Sequence, residues 1–502
     1  MGPERRAVPG ETSSTSDPSS SGGVTAGAEG SLSDVVLVSN RGPLAFRLED
    51  GRPVPAPSGG GLAGSLFPLV EGSGASWVAS SMNEADRLAA AAGLMTADGV
   101  RVELVEPESD VYNLAYNVVS NSTLWFCHHH LFDSARRPRT DHRWMDAWDA
   151  YRVFNRLMAE RVAEVAPSGG RILVQDYHLA LMAPTLAALR PDLAAVHFSH
   201  TPFADPSVLR MLPTAVGDEL LTAMATFRAC GFHSERWASA YRSGLATAGL
   251  APAGRGGRGP AGPTYVSPLS IDAARLAASA AEPDVSAAAA RIEESVGGPD
   301  RQVIVRVDRM ELSKNLLRGF WAFEELLEQQ PQHRERVVFV ALAYPTRQGL
   351  PEYLAYQDEV ETTVDRINER WGTPTWRPIV LEVEDDYPRS LAALTRYDVL
   401  LVNPVRDGLN LVAMEGPVLN TRDGVLALSR EAGAFDRLGG GALEVNPFDV
   451  TGTATVLSRA LDLGADERSG RAAALRTSVL DRRPADWLDD QLAATRSATV
   501  YP

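Results

Sequence analysis

The sequence predicts an α/β protein of two domains, each built on a mostly parallel sheet with helices packed on its faces. Short, branched, apolar runs of strand length recur along the chain, each followed at once by polar residues and then by a helical pattern. This rhythm runs from about residue 35 to residue 200 and restarts after residue 300. With 502 residues, the chain is too long for a single hydrophobic core.

Composition narrows the class. Hydrophobic residues make up 44% of the chain, and no uninterrupted apolar run reaches membrane-spanning length, so a water-soluble globular protein with no membrane partner is expected. A net charge of −16 argues against a general nucleic-acid or anionic-membrane binder, although a few basic residues can still gather in a cleft for phosphates. Two cysteines, Cys127 and Cys230, offer neither a disulfide framework nor a zinc spacing, which suits a reducing cytoplasm. No secretory signal is visible. Residues 1–33 are rich in Ser, Gly, Pro and Thr and nearly free of large apolar residues, so a disordered tail is expected. Its removal should leave turnover and melting temperature unchanged.

The first strand is Val35–Val38, followed by Ser39-Asn40-Arg41-Gly42-Pro43. After a hairpin-like stretch, the glycine-rich loop Pro57-Ser58-Gly59-Gly60-Gly61 leads into a helix, Leu62 to Val70. Glycines there let backbone N–H groups close on a phosphate or sugar, although the pattern is neither a Walker A loop nor a dinucleotide fingerprint. Tyr116 to Trp125 sets aromatics beside amides, as carbohydrate sites and buried aromatic clusters both do. His128-His129-His130 is a poor metal site, because adjacent side chains point in different directions on regular backbone. Next, Arg171–Gln175 ends in Asp176-Tyr177-His178, Leu179 to Leu189 reads as a helix, and Ala195–Ser199 ends in His200-Thr201-Pro202-Phe203. This βαβ unit brings Asp176 and His200 to the carboxyl edge of a parallel sheet.

A Gly, Pro and Arg stretch from residue 251 to 263 reads as a mobile loop, and Tyr265 to Leu269 marks passage to the second domain. There Val303–Val307 is a strand and Asn315 to Gln329 an amphipathic helix. Between them Arg309 and Lys314 place two cations beside a helix start, suited to a diphosphate. Strands Val337 to Leu342 and Ile379 to Glu382 continue the sheet, with Arg347 in the loop after the first. The last polar switch lies between the run Tyr397 to Val402 and a helix expected over Leu409 to Val418. In it Gly408 permits close backbone approach, Asp407 can accept sugar hydroxyls, and Glu415 can reach a ribose.

These motifs together, in this order over about residues 35 to 490, resemble the trehalose-6-phosphate synthase family of retaining glycosyltransferases. The resemblance rests on Ser39-Asn40-Arg41, the Gly59 to Leu62 loop, Gln175-Asp176-Tyr177-His178, His200-Thr201-Pro202-Phe203, Arg309 with Lys314, and Arg406 to Val412. It implies a GT-B fold, two Rossmann-like domains facing across a cleft. The expected divisions are a tail to residue 33, an acceptor domain over 34–268, a donor domain over 269–470, and a final helix over 471–502 that crosses back.

The resemblance also implies roles. Arg309 and Lys314 would bind the donor diphosphate and Glu415 the ribose; Asp407, with the backbone from Gly408 through Asn410 and Leu411 to Val412, would hold glucose and phosphate. His200 would lie near the donor sugar, and Gly60 and Gly61 would close over the donor. Arg41, Tyr116, Trp125 and Arg347 would recognise glucose 6-phosphate, with Asp176 on an acceptor hydroxyl. The implied activity moves glucose from a GDP- or UDP-linked donor to glucose 6-phosphate, giving α,α-trehalose 6-phosphate. Related alternatives are a synthase that uses glycerol 3-phosphate, a pseudo-glycosyltransferase of the validoxylamine-phosphate type that forms a C–N bond between cyclitols, or an inactive sugar-phosphate sensor. Neither metal nor cofactor is implied, and a homo-oligomer is allowed. Family members usually carry lysine where this chain has Met414, and isoleucine where it has Thr201.

Overall fold

Two parallel sheets organise the chain in the computed structural model, which describes residues 31–56, 62–93, 95–250 and 263–496. The first has eight strands in the order Thr264–Val266, Cys230–Phe232, Ala194–Ser199, Arg171–Gln175, Val35–Val38, Ser76–Ser80, Val100–Val105 and Thr96–Ala97. All neighbours pair in parallel except the last two. Val35–Val38 lies between Arg171–Gln175 and Ser76–Ser80 with every residue buried, which is why it reads as an unbroken apolar run. The second sheet has six parallel strands, in the order Ile379–Glu382, Val337–Tyr344, Gln302–Arg309, Val399–Val402, Val425–Ser429 and Leu443–Val445.

Strand order reverses beside Val35–Val38 in one sheet and beside Gln302–Arg309 in the other. At such switch points the following loops diverge and leave a crevice at the carboxyl ends. Ser39 to Arg41 and Arg309 to Lys314 therefore occupy the two places where an open α/β sheet is built to take a ligand. The hairpin-like stretch is a true hairpin, Ala45–Glu49 with Arg52–Ala56, turned by Asp50 and Gly51 at φ 49° and 74°.

The final helix, Pro484–Arg496, packs on the first sheet, although it follows the second in sequence. Trp487 is fully buried, 5.1 Å from the ring of Phe198, and Gln175 Nε2 donates to Gln491 Oε1 at 3.0 Å. Arg228 adds a bond to the carbonyl of Thr495 at 2.9 Å.

Some expected elements shift. The helix expected from Leu409 starts only at Val412, because Asn410 adopts φ 81° and its side-chain oxygen accepts the N–H of Ala413 at 3.1 Å. Leu179 to Leu189 divides into a short turn, Tyr177–Leu179, and a helix, Met182–Leu189. Tyr116 lies in a wide π-helix, Leu114–Leu124, whose Ser120 and Thr123 hydroxyls reach the carbonyls of Ala115 and Val118 five residues back.

The expected tail extends too far. Leu32 is buried in the core at 5% exposure, and its N–H donates to the carbonyl of Ser73 at 2.9 Å. A truncation that removes residues 1–33 is therefore expected to lower the melting temperature, since a buried leucine contributes about 1.5–3 kcal/mol. One ending at residue 30 keeps that contact; equal melting curves for the two truncations would show that Leu32 contributes nothing. The expectations for residues 1–30, for the Gly59 to Gly61 loop and for the 251–262 stretch lie outside the described residues.

Candidate active site

Arg309 and Lys314 stand at and just beyond the end of the central strand of the second sheet. Lys314 Nζ lies 2.5 Å from Asp407 Oδ2, both side chains being mostly buried. Burial opposes charge on both groups, but each supplies the other's counter-ion, so Lys314 is held above the usual ammonium range and Asp407 below the usual carboxylate range. Both are charged at neutral pH. Asn410 Nδ2 also donates to Asp407 Oδ2 at 3.1 Å, fixing the carboxylate. Arg309 keeps 34% of its side chain open and faces Glu311 at 3.1 Å.

Beneath this loop Arg306 is fully buried and donates to Asp308 Oδ2 at 2.7 Å and to the carbonyl of Lys314 at 2.8 Å. Asn315, at φ 60°, donates to the carbonyls of Asn403 at 3.0 Å and Pro447 at 2.8 Å. The cationic loop is thus tied to the loop carrying Asp407 and pre-organised.

Across the cleft, Arg347 lies over the Trp125 ring at 4.0 Å, and Arg309 lies 5.5 Å from the same ring. Arg347 Nη1 donates to Glu311 Oε1 at 2.8 Å and to the Tyr353 hydroxyl at 2.6 Å, and its Nη2 reaches the Tyr177 hydroxyl of the other half at 3.4 Å. The buried Trp125 indole N–H has no hydrogen-bond partner among the described residues and is available to a ligand oxygen. Tyr116 stacks between Tyr112 and His178 at 5.4 and 5.7 Å. Arg41 is exposed. It and Arg347 both belong to the acceptor group implied by the sequence, as does Tyr116, which joins a ring series from Tyr112 through Tyr116 and His178 to Tyr177.

Asp176 holds φ 72°, an uncommon backbone for an aspartate, and its Oδ1 accepts the N–H of His200 at 3.1 Å. Burial raises its carboxyl to about 6, partly offset by N–H groups of His200, Tyr177 and Thr201.

His200 is engaged on both ring nitrogens. Leu269 N–H donates to His233 Nδ1 at 3.3 Å, so His233 carries its proton on Nε2 and gives it to His200 Nδ1 at 3.2 Å. His200 Nε2 is then protonated and bonds Gln175 Oε1 at 3.0 Å. With both nitrogens engaged, and with burial, His233 and His197 all disfavouring charge, the ring is a neutral positioning group. A contact to a donor sugar requires one of these bonds to be exchanged.

The backbone is what His200 brings to the other half. A Cβ on Gly408 would lie 1.8 Å from the carbonyl oxygen of His200, so the two halves touch through bare backbone. Trp237 Nε1 donates to the Gly408 carbonyl at 3.0 Å. Arg406 bridges to the carbonyl of Phe203 at 2.7 Å, to Asp205 at 3.2 Å and to His130 at 3.1 Å. His128 and His129 turn to other partners, the N–H of Ala204 and the carbonyl of Trp125, so the histidine triplet is divided.

Glu415 stands in the first turn of Val412–Leu419, where burial alone raises its carboxyl to about 7. Leu411 and Val412 beside it are partly exposed. Because its folded value exceeds its unfolded one, the folded state binds the extra proton between about pH 4.5 and 7, and stability falls as pH rises through that window. Glu415→Gln is therefore expected to raise the melting temperature at pH 8 and change little at pH 4, while raising the donor KM. A lower melting temperature at pH 8 would contradict the assigned cost of burying this carboxylate.

Sequence reasoning missed Glu311, Tyr177 and Tyr353. Glu311 stands between Arg309 and Lys314, and a carboxylate that close to two cations was the available signal. For Tyr177 the signal was its place in the motif Gln175-Asp176-Tyr177-His178; for Tyr353 there was none.

Two α/β halves meet over clustered guanidinium, ammonium and carboxylate groups, the architecture of the GT-B fold. The chain belongs to glycosyltransferase family 20, whose pattern matches residues 33–496. It is 32% identical to the trehalose-6-phosphate synthase of Mycolicibacterium smegmatis over 484 residues, covering 92% of this chain and 93% of that one. An E. coli structure bound with UDP-2-fluoro glucose superposes with a TM-score of 0.79 at 26% identity, covering 92% of this chain and 99% of the other. A Burkholderia xenovorans α,α-trehalose-phosphate synthase in complex with glucose-6-phosphate gives the same score and identity, over 92% and 100%. Among the described residues, no helix is long and apolar enough to cross a membrane, and no three His, Cys, Asp or Glu side chains form a metal-ligating group.

Proposed function

We propose that this protein transfers glucose, with retention of configuration, from a nucleoside-diphosphate glucose to glucose 6-phosphate, giving α,α-trehalose 6-phosphate. The observation that carries the reading is the pairing of two cation groups in one cleft. Arg309 and the Lys314–Asp407 pair stand at the switch point of the second sheet, and Arg347 over Trp125 faces the first. Such a site suits two phosphate-bearing substrates, and relatives with this fold bind a UDP-sugar analogue and glucose 6-phosphate.

In this reading Arg309, Lys314 and the backbone ahead of Val412 take the negative charge that develops on the leaving diphosphate. Asp407, fixed by Lys314 and Asn410, orients the glucosyl hydroxyls. Attack and departure occur on the same face, and the leaving phosphate oxygen takes the acceptor's proton, so the protein supplies position and charge and no covalent carboxylate. Asp176 holds the acceptor hydroxyl. The test is a matrix of GDP- and UDP-glucose against glucose 6-phosphate, glycerol 3-phosphate and a cyclitol phosphate, with products identified by mass and NMR. Turnover with glucose 6-phosphate absent from the active pairs would overturn the reading.

Arg347→Ala is expected to raise the acceptor KM by on the order of 10²-fold, the scale of a lost charge-assisted contact, with a much smaller change for the donor. Equal changes in both would place Arg347 elsewhere.

A further inference from the structure

The two arginines that this reading gives to different substrates meet on a single carboxylate. Glu311 is fully buried; its Oε1 accepts from Arg347 Nη1 at 2.8 Å, and its Oε2 faces Arg309 Nη2 at 3.1 Å. Ser313 Oγ donates to the same Oε2 at 3.3 Å, which fixes the carboxylate plane. The Trp125 ring lies against both guanidiniums.

We propose that Glu311 is a positioning residue that stands in for the substrates' phosphates, a built-in anion that holds the donor-side and acceptor-side arginines in place until two phosphates share them. The inference rests on the assignment of Arg309 and Arg347 to the two phosphates. Two guanidiniums this close in a cleft of low dielectric repel each other, and without a counter-ion they would swing towards water. The carboxylate prevents that and keeps them aimed. It also competes with each incoming phosphate for the same N–H groups and the same positive potential. Ground-state binding is thereby weakened on both sides of the cleft, while the transition state meets donors already in position.

The distinguishing readout is a split between affinity and rate. Glu311→Gln keeps the shape and removes the charge. Calorimetric titration of this variant is expected to show tighter binding of both glucose 6-phosphate and the nucleoside diphosphate (UDP and GDP), each by about threefold or more, with kcat lower by about tenfold or more. Glu311→Asp keeps the charge and is expected to return both dissociation constants towards wild type. A Glu311 that only supported packing would weaken both ligands together with kcat; that result, or unchanged affinities, overturns the inference. Wild-type protein that binds neither ligand would overturn the functional reading and this inference with it, whereas wild-type binding with no gain in the variant overturns the inference alone. If Glu311→Gln does not fold, the double variant Arg309→Gln with Glu311→Gln preserves the cluster's net charge. It should bind glucose 6-phosphate more tightly than wild type, and equal or weaker binding overturns the inference.

Discussion

Lys314→Ala is expected to lower kcat by about 10²–10³-fold, the scale of losing one preorganised electrostatic contact to the charge that develops in a transition state. Two effects add. In the proposed reaction the leaving diphosphate would lose a buried ammonium, and Asp407 loses the partner 2.5 Å away that keeps it ionised. Without Lys314, burial is the dominant influence on Asp407 and drives its carboxyl upward. Stability carried by the depressed carboxylate is present above its unfolded value and lost as pH falls; in the variant this contribution disappears at neutral pH as well. The variant should therefore melt lower at pH 7 and show a loss in kcat larger than its change in donor KM. Arg309→Ala should show a comparable loss in rate. Turnover within a few-fold of wild type for both would remove these cations from the chemistry.

Gly408→Ala is expected to reduce activity by more than about 10²-fold through sterics alone, the scale of a misplacement of about 1 Å in a preorganised site. The added methyl would lie 1.8 Å from the carbonyl oxygen of His200 and 3.0 Å from the carbonyl carbon of Thr201, both backbone atoms that cannot rotate aside. One half must move off the other. The bond from Trp237 to the Gly408 carbonyl and the position of Asp407, one residue earlier, would move with it. Overpacking of this kind also costs about 1–3 kcal/mol. Steady-state kinetics and melting curves would check both effects, and an active variant with an unchanged melting temperature would show that the close approach is not needed.

Much of this was legible in the chain. Strands such as Val35–Val38 and Val399–Val402 declared themselves because a strand buried on both faces must be apolar throughout. Helix starts were less legible. Asn410 and Asn315 both adopt positive φ; the Asn315 amide bonds carbonyls of distant loops, at Asn403 and Pro447, while the Asn410 amide bonds Asp407 and Ala413 beside it. Leu32 was missed because one leucine in a polar stretch has no periodicity, and only the neighbouring Ser73 shows that it is anchored.

By itself the sequence determined the α/β class, the residues that carry charge at the two strand ends, and the small residue needed at Gly408, because these depend on local pattern and side-chain chemistry. Tertiary structure alone decided how those groups are used. His200 became a neutral link between His233 and Gln175, and Arg347 was given to Glu311 and Tyr353 instead of standing free. The final helix, which the resemblance already expected to cross back, was fixed on the first sheet by the partners of Trp487 and Gln491. The physical reason is common to all three. The protonation of a buried ring, the aim of a guanidinium and the docking of a helix are set by desolvation and by partners that are near in space and far along the chain.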